Sequence, residues 1–501
     1  MEPRTQYTET GGGVTVATIS RLVILAGLLV AFALAAPGST TATSLHEVTE
    51  LTGDGSTFND DFGQSVAVSG DTAVVGSPLE NAFRDDYGAA YVFQRDRGGA
   101  GNWGEVTKLQ TVDQVNGLGA SVAISGDTAV VVSGIAAYVF DRDEGGVDSW
   151  GQVATLKPNE QFTGFPRRNV AISGDTIAFA GLVSDAIPNT RAVYIYQRNE
   201  GGADNWGEVT KLTRSSAEPF DGFGASMAVS DDTIVVGAPE RIGGSSPPTS
   251  NGVAYIFERN HGGDDNWGEV KKVTGSDTEP GDVFGGSVAV SGETAVVGAY
   301  RISTHPTSCC TGAAYIFHRN QGGTDNWGEA KKITSADGGR FGASVAVDGD
   351  IAVVGAWRAA STGLAYAFQR HVGGEDNWGE VAQLSASNAG FQDFFGSSVA
   401  VSGDTGIVGA PGEDGAPIKG CCGSAYVFDL LLPKPRLTGD ASCDGIVTAV
   451  DAALILQFRA GLLGSLPCVD AADVNDDGNI TTVDAALILQ FTAGLLNSLP
   501  P

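Results

Sequence analysis

Residues 65–76 read SVAVSGDTAVVG, two short apolar runs on either side of a Gly-Asp pair. Their β-branched residues predict two strands, and the Gly-Asp pair predicts a tight hairpin turn between them. Related phrases follow near Ser121, Asn169, Ser226, Ser287, Ser344 and Ser398. The residues that open the seven units are Phe62, Leu118, Phe165, Phe223, Phe284, Phe341 and Phe395, spaced 47 to 61 residues apart. A period of about 50 residues is typical of propellers and solenoids.

A second phrase, NWGEVTKL at residues 102–109, has six copies. They begin at Asn102, Ser149, Asn205, Asn266, Asn326 and Asn377. Each unit contains four strand-like runs, which in the fourth unit are SMAVS, TIVVGA, VAYIFERN and EVKKV. Four antiparallel strands repeated seven times predict an all-β, seven-bladed propeller.

The seventh unit lacks a fourth strand, because AYVFDL continues directly into LLPKPRL. The segment HEVTELTG, which starts at His46, precedes the first unit and resembles GEVTKLQT of the second phrase. We therefore predict that the N-terminal segment supplies the outer strand of the seventh blade. This closure would remove an exposed sheet edge, which is otherwise prone to pair with other chains.

The units resemble FG-GAP repeats, the blades of integrin α-subunit propellers and of many bacterial surface proteins. The resemblance rests on FGASMAVSDDTIVVGAP from Phe223, FGGSVAVSGETAVVGAY from Phe284 and FGSSVAVSGDTGIVGAP from Phe395, and it covers residues 45–429. The third unit, FPRRNVAISGDTIAFAGL, has lost the Phe-Gly pair. Integrin blades often carry a DxDxDG calcium loop between their first two strands. Here that connection is only SGDT, SDDT or DGDI, so calcium sites of that kind are not expected in the propeller.

A different module follows a Pro-containing linker at residues 430–438. It contains two near-copies offset by 33 residues, DASCDGIVTAVDAALILQFRAGLL from Asp440 and DVNDDGNITTVDAALILQFTAGLL from Asp473. Each begins with an acidic loop turned by a glycine and continues into an apolar helix, an arrangement that supplies the roughly six to eight oxygen ligands that calcium prefers. The sequence thus predicts two calcium ions. The predicted ligands are Asp440, Ser442, Asp444, the Ile446 carbonyl, Thr448 and Asp451 in the first loop, and Asp473, Asn475, Asp477, the Asn479 carbonyl, Thr481 and Asp484 in the second.

This module, residues 439–500, resembles type I dockerins, which dock onto cohesin modules in cellulosomes and related surface assemblies. The resemblance implies that the partner is a cohesin-like module or a surface scaffold protein. In that family, loop positions 10 and 11 and helix positions 17 and 18 contact the partner. Here they are Ala449, Val450, Leu456 and Gln457 in the first copy and Thr482, Val483, Leu489 and Gln490 in the second, without the basic residue often seen at positions 17 and 18.

The six cysteines fall into three pairs. A bridge between Cys443 and Cys468 would stabilise the C-terminal module by roughly 3.5 kcal/mol on the chain-entropy model. The other two pairs are adjacent in sequence and precede the third strands of blades five and seven; they are Cys309 with Cys310 and Cys421 with Cys422. An oxidising compartment favours vicinal disulfides for them. The alternative is metal binding, with His305 as a further ligand for the first of these pairs.

The N-terminus predicts export. Residues 22–36 form an apolar run with a small-residue cleavage pattern at its end, so we interpret residues 1–35 as a signal peptide, with an uncleaved anchor as the alternative. Either interpretation places the bulk of the chain outside the cytoplasm. The net charge of −30 argues against nucleic acid as a partner, because its phosphates would be repelled.

Ligand contacts are predicted on one face of the propeller. The loops between second and third strands and the loops that enter the next blade share this face, here called the long-loop face, and they vary most among the units. Recognition sites concentrate on irregular loops held by a rigid scaffold. The candidate contacts are Arg241, Arg301, His305, Trp357, Arg358 and Asp414.

The tryptophans raise two separate questions. Trp357 lies outside the NWGE phrases; exposed, it would stack on a sugar ring or anchor a protein, and the alternative is that it fills the mouth of the channel. The Trp of NWGE is also open to a sugar-stacking interpretation, but its recurrence in six blades favours packing between blades.

No catalytic arrangement is evident in the sequence. The five histidines form no HExxH motif and no GxSxG phrase occurs, although the many carboxylates leave a paired acid/base site open. We interpret the protein as a secreted or cell-surface recognition or adhesion propeller with a calcium-dependent docking module. The alternatives are a carbohydrate-active hydrolase or lyase in a polysaccharide-degrading assembly and a purely structural envelope protein.

Overall fold

The computed structural model describes residues 43–499 apart from residues 46, 55–59, 81–86, 112, 114, 160–168, 183–190, 215–221, 240–250, 303–310, 373, 375, 413–422, 432–436, 444–445, 476 and 497. The predicted signal peptide at residues 1–35 therefore lies outside the described residues. Within the described part of the chain, no helix is both long and apolar enough to cross a membrane.

The propeller consists of seven antiparallel blades. Blade one is β3 (Ser65–Ser69), β4 (Thr72–Ser77), β5 (Ala89–Arg95) and β6 (Trp103–Leu109). Blade two is β7 (Ser121–Ser125), β8 (Thr128–Val132), β9 (Ala137–Arg142) and β10 (Trp150–Leu156). Blade three is β11 (Val170–Ser173), β12 (Thr176–Leu182), β13 (Arg191–Arg198) and β14 (Trp206–Leu212). Blade four is β15 (Ser226–Ser230), β16 (Thr233–Ala238), β17 (Val253–Arg259) and β18 (Trp267–Val273). Blade five is β19 (Phe284–Ser291), β20 (Thr294–Ala299), β21 (Ala313–His318) and β22 (Gly328–Ile333). Blade six is β23 (Ser344–Asp348), β24 (Ile351–Ala356), β25 (Leu364–Arg370) and β26 (Trp378–Leu384), with the short β1 (Thr43–Ser44) at its edge. Blade seven is β27 (Ser398–Ser402), β28 (Thr405–Ala410), β29 (Ser424–Asp429) and β2 (Glu47–Leu51).

The blades form a closed ring. The first strand of each blade contacts the first strands of both neighbouring blades, from β3 through β7, β11, β15, β19 and β23 to β27, and β27 contacts β3 in turn. The second strands are buried along almost their whole length, because each lies between two strands of its own blade and two adjacent blades. This confirms the predicted seven-bladed propeller.

The described helices lie in the C-terminal module, apart from a short 3-10 helix (Ala359–Ser361) between β24 and β25. They are α1 (Ala449–Arg459), α2 (Val469–Ala472) and α3 (Thr482–Thr492). Helices α1 and α3 pack against each other. The prediction of a loop-helix pair at this end of the chain is confirmed.

Strand β2 completes blade seven, as the missing NWGE copy predicted, and pairs antiparallel with β29. Leu51 at its end is buried and packs with residues of blades seven and one. Glu47 accepts a hydrogen bond from Ser387 N at 2.9 Å. The Glu of an NWGE phrase does the same, since Glu105 accepts from Asp54 N at 2.8 Å. Strand β2 therefore makes the contacts of an ordinary outer strand.

Strand β1 was not foreseen. Thr43 and Ser44 pair in parallel with β26, the outer strand of blade six, although the predicted propeller begins only at residue 45. Two residues are too few to show alternation, and a parallel pair has no hairpin turn to signal it. The chain thus runs along the edge of blade six before it completes blade seven.

Neighbouring blades are joined by two recurring polar contacts. The Ser that begins an inner strand donates its hydroxyl to the carbonyl of the glycine in the next blade's Phe-Gly pair; Ser398 bonds Gly63 in this way at 2.8 Å and closes the ring. Ser65, Ser226, Ser287 and Ser344 make the same bond. At the other end of the inner strand, a backbone N–H of each SGDT-type turn bonds a Ser or Asp side chain of the preceding blade over 2.7–3.1 Å at all seven junctions.

The Trp of the NWGE phrase is a packing residue. Trp103, Trp206, Trp267, Trp327 and Trp378 are buried and Trp150 is half-buried. Trp206, for example, packs with Val132 and Leu156 of the preceding blade. The guanidinium of Arg198 lies over its ring, with Cζ 4.9 Å from the ring centroid. The packing interpretation is confirmed, and the sugar-stacking alternative does not fit rings that are covered in this way.

Removing the closing strand should destabilise the whole ring. Deletion of residues 45–53 exposes the edge of β29 and the pocket of Leu51, so we expect a clearly lower melting temperature. The point variant Leu51→Ala should cost about 2–5 kcal/mol, the usual range for a buried leucine. Val48→Ala, on the same strand but 39% exposed, is the matched control and should cost less than about 1 kcal/mol. Calorimetry decides: equal melting temperatures for the deletion and the parent would contradict the closure.

Candidate functional site

The C-terminal module is built from two copies of one helical unit. The sequences of α1 and α3, AVDAALILQFR and TVDAALILQFT, are nearly identical. Each helix begins with a capping box: the Thr before it accepts the N–H of the second helical residue, and the Asp three positions after that Thr bonds back to its backbone N–H. Ile455 and Ile488 are fully buried between the helices, with Ala452, Ala485 and Val474 around them. Both copies therefore bury the same inner face.

The twelfth residue of each acidic loop connects the loop to its helix. Asp484 is fully buried; its Oδ1 accepts from Val474 N at 2.9 Å and its Oδ2 from Thr481 N at 2.6 Å. Asp451, also fully buried, makes the equivalent bonds in the first loop. Within the described residues, neither carboxylate has a Lys or Arg partner. Burying a carboxylate is costly, and the hydrogen bonds offset only part of that cost, so a bound cation would stabilise both positions further.

The remaining predicted ligands lie around the same loops. In the second loop, Asp473 accepts from Gly478 N at 2.7 Å and Asp477 from Asn479 N at 2.8 Å. In the first loop, Ser442 donates its hydroxyl to Asp440 at 3.1 Å, and Asp440 is buried.

The clustering of these side chains around one metal position is distinct from their hydrogen bonding. No three His, Cys, Asp or Glu side chains of the described residues are gathered as a metal cluster. The predicted ligand Asp444 lies outside those residues, and half of the predicted ligands are Ser, Asn, Thr or main-chain oxygens. A set made only of oxygen atoms, six in each loop, fits calcium.

The disulfide predicted in this module is confirmed. Cys443 and Cys468 are bonded, with their Cα atoms 5.5 Å apart. The bridge connects the first acidic loop to the segment just before α2, and Cys468 N also bonds the carbonyl of Ala441 at 3.2 Å. The pairs Cys309 with Cys310 and Cys421 with Cys422 lie outside the described residues, so their state stays a prediction.

The residues at the family's partner-contact positions face solvent in both copies. Ala449, Val450, Leu456 and Gln457 are exposed in the first, and Thr482, Val483, Leu489 and Gln490 in the second. Leu456 and Leu489 are 42% and 43% exposed, and Val450 and Val483 are 59% and 52% exposed. Each helix therefore presents the same apolar stripe on its outer face.

The long-loop face places some predicted ligand contacts together. Arg358 follows β24 and its Cζ lies 4.7 Å from the ring centroid of Trp357. Trp357 is half-buried, and the ring of Phe394 packs edge-on against it at 5.3 Å. Arg301 lies at the equivalent place in blade five. Arg241, His305 and Asp414 lie outside the described residues, so their roles stay predictions.

Three further residues at this place were not predicted. They are Tyr300, Arg340 and Phe394, which belong to the cluster around Trp357 and Arg301. Arg340 and Phe394 each precede a Phe-Gly pair, where two other blades have Gly117 and Gly222. The signal in the sequence was weak, because blades one and five have Asp61 and Val283 at the same place.

Two protein families match separate parts of the chain. The FG-GAP repeat model matches residues 45–93, 206–257, 267–317, 327–368 and 378–428, and the dockerin type I domain model matches residues 438–491. Each FG-GAP match begins at an outer strand and runs through the third strand of the next blade. The chain carries FG-GAP repeats and a type I dockerin domain. Type I dockerin domains bind calcium, which supports calcium as the ion of this dockerin.

Two solved structures are similar to the dockerin part alone. Both are of the third cohesin ScaC in complex with the ScaB dockerin from Acetivibrio cellulolyticus, displaying a type I interaction; one dockerin is mutated in its N-terminal helix and the other in its C-terminal helix. Each is 31% identical over 13% of this chain and 92% of its own, with TM-scores of 0.13 and 0.12. The search of curated proteins found no match.

Calcium removal should unfold the dockerin and leave the FG-GAP propeller intact. A module of about 60 residues has a small core, so much of its stability depends on bound ions and the disulfide. Because the described helices of the full chain lie almost entirely in the dockerin, circular dichroism at helical wavelengths reports on this module. We expect chelator to abolish the helical signal, calcium to restore it, and Asp440→Ala with Asp473→Ala to mimic chelation. Unchanged helicity in chelator would contradict the assignment.

Proposed function

We propose that this protein is a secreted or cell-surface recognition protein. In this proposal, the FG-GAP propeller presents a ligand-binding surface on its long-loop face. The dockerin, holding two calcium ions, anchors the propeller to a cohesin module of another protein. The propeller therefore binds the ligand, and the dockerin anchors the protein.

The observation that carries the anchoring role is the repeated outer face of the dockerin helices. Val450 and Leu456 of α1, and Val483 and Leu489 of α3, are apolar and exposed, although the module buries other aliphatic residues completely. Paired exposed apolar stripes of this kind mark protein interaction surfaces. The chemistry of the stripes, apolar with neighbouring Gln and no Lys or Arg at positions 17 and 18, fits a partner surface that is largely apolar.

The capping boxes connect calcium to docking. Asp451 and Asp484 hold the N-terminal ends of α1 and α3 to the loops that contain the predicted calcium ligands. Loss of the ions would therefore release the helices on which the exposed stripes lie. Cohesin binding is expected to depend on calcium for this reason, and not because the ion touches the partner.

The location outside the cytoplasm is supported by three features of the chain. The disulfide between Cys443 and Cys468 forms and persists in oxidising compartments. Chains with FG-GAP repeats and dockerin domains are typical of extracellular or cell-surface proteins. The apolar run at residues 22–36 provides the export signal of this proposal.

Because the two helices present equivalent stripes, either one should serve for docking. We expect Leu456→Glu or Leu489→Glu alone to weaken binding to a cohesin module only a few-fold. The double variant should lose roughly thirtyfold or more, the scale of a buried hot spot. Isothermal titration of the full chain against a panel of type I cohesin modules measures this.

Two controls make the result specific. Val147→Glu changes the most exposed apolar residue of the described propeller, at 91% exposure, and should leave cohesin binding unchanged. Chelator should abolish binding by parent and control alike. A double variant that binds as tightly as the parent would contradict the assigned surface, and the absence of binding to every cohesin in calcium would contradict the anchoring role.

A further inference from the structure

Three arginines from two blades lie together on the long-loop face. Arg301 follows the second strand of blade five, Arg358 follows that of blade six, and Arg340 lies in the loop that enters blade six. The Cζ atoms of Arg340 and Arg358 are each 4.7 Å from the ring centroid of Trp357. The Cζ of Arg340 is also 5.9 Å from the ring of Tyr300. We call the three arginines the arginine cluster.

The charges of the arginine cluster are not neutralised by the described residues around them. None of its three side chains has an ion-pair partner within the part of the chain that the structure describes. Arginines at the opposite face do have Asp or Glu partners; they are Arg95, Arg142, Arg198, Arg259, Arg319 and Arg370. In a chain with a net charge of −30, three neighbouring arginines without an acidic partner among the described residues are a specific feature and not a general property of the surface.

The arginines also repel one another. Burial, and then the positive charges of Arg358 and Arg301, lower the pKa of Arg340, and only Tyr300 acts in the opposite direction. The guanidinium groups nevertheless stay charged at neutral pH. The aromatic rings stabilise them through cation–π contacts. An anion placed between them would relieve the repulsion.

The backbone holds the cluster in a strained conformation. The residue before each Phe-Gly pair, or its counterpart, has a positive φ in all six blades where it is described: Asp61, Gly117, Gly222, Val283, Arg340 and Phe394. Glycine adopts this conformation without penalty, whereas other residues lose about 1 kcal/mol or more. Blade six nevertheless has Arg340 at a φ of 66°, and blade seven has Phe394 at 59°. Because Asp61 and Val283 adopt the same conformation in blades one and five, this backbone geometry belongs to the repeat, and at the cluster it fixes the direction in which Arg340 leaves the chain.

The loops that carry the cluster are bonded to one another. Arg358 N donates to the carbonyl of Gly339 at 3.0 Å, and Gln392 N donates to that of Ser361 at 3.1 Å. Gly339 is needed for this approach, because a Cβ there would lie 2.1 Å from the backbone nitrogen of Ala359. The cluster is therefore organised before any ligand arrives, which lowers the entropic penalty of binding.

We propose that the arginine cluster binds the carboxylate or sulfate group of an acidic sugar residue, a proposal that rests on the recognition role of the propeller. A guanidinium that lies over an aromatic ring keeps its N–H donors in its own plane, where they are free to bond the oxygens of an anion in pairs. Phe391 precedes Gln392, which is bonded to Ser361 of blade six, and its 72% exposed ring offers aromatic surface for the apolar face of a sugar ring. The arginine cluster covers a small area around Trp357, so it has room for one anionic group at a time.

In this proposal Trp357 orients the arginines. With two guanidinium groups over its ring and Phe394 at its edge, it is a positioning residue for the arginines and not a free stacking surface. Trp357→Phe should keep part of the cation–π contact and of the binding, whereas Trp357→Ala should lose both.

The test is calorimetric titration of the full chain with matched oligosaccharides. The probes are an oligogalacturonate, its neutral methyl ester, a sulfated galactan oligosaccharide and its desulfated form. We expect at least one acidic probe to bind, its neutral partner not to bind, and affinity to fall with salt. Arg340→Gln and Arg358→Gln should each weaken binding roughly tenfold or more, the scale of a lost charged hydrogen bond. The preferred acidic probe tells carboxylate from sulfate.

Controls separate this proposal from the others. Arg259→Gln, at the opposite face and paired with Asp265, should bind like the parent, and all variants should keep the parent's melting temperature within a few degrees. Cohesin binding by the dockerin should be unchanged in every arginine variant, so the anchoring role can succeed or fail independently. The proposal is overturned if neither acidic probe binds, if acidic and neutral probes bind equally, or if a glutamate-rich peptide of equal charge binds more tightly than both sugars.

Discussion

At five of the seven junctions of this propeller, adjacent blades approach so closely that only glycine fits where they meet, whereas blades two and three have Val132 and Ala180 at that place. A Cβ on Gly409 of blade seven would lie 2.0 Å from the carbonyl oxygen of Gly63 in blade one, and Gly237, Gly298 and Gly355 have the same relation to the next blade. The oxygen that requires this space also accepts the hydroxyl of the Ser beginning the inner strand, at 2.8 Å from Ser398 to Gly63. The glycine of the VVG phrase in one blade therefore contacts the glycine of the FG phrase in the next blade. This contact explains why both glycines recur in the repeat.

That contact has consequences for function. Because the inner strands and their SGDT turns are bonded to the neighbouring blades, the ring is uniform near its axis and at the face of the short turns. The ends of the connections on the long-loop face are also bonded between blades, because Phe284 N, Phe341 N and Phe395 N donate to the carbonyls of Asn251, Thr311 and Thr362. Between these ends, the length and chemistry of the connections vary. Arg301, Arg340 and Arg358 occupy this variable surface. In the dockerin, the two copies of the helical unit share one inner core. Their two equivalent outer faces stay open to a partner.

Much of this architecture could be predicted from the sequence. The hairpin phrases predicted the number of blades, and the missing NWGE copy predicted the closing strand. The acidic loops predicted the helical module, and its pair of cysteines predicted the disulfide. Strand β1 escaped prediction, because a parallel pair of two residues leaves no pattern. The arginine cluster could be predicted only in part: Arg301, Trp357 and Arg358 were candidates for their place in the loops, whereas Arg340 and Phe394 come near Trp357 through contacts between blades that sequence spacing does not reveal. The predicted contacts Arg241, His305 and Asp414 lie outside the described residues and stay predictions.

The close approach of glycines at the closing junction can be tested by one substitution. Gly409→Ala places a methyl group against the Gly63 carbonyl, and overpacking of this kind costs about 1–3 kcal/mol. Gly403→Ala, in the turn of the same blade, has open space around it and a φ of 52°, so its cost should be limited to about 1 kcal/mol of backbone strain. Urea unfolding followed by tryptophan fluorescence should show a lower midpoint for Gly409→Ala than for Gly403→Ala. A Gly409→Ala protein as stable as the parent would contradict the claim that this contact closes the ring.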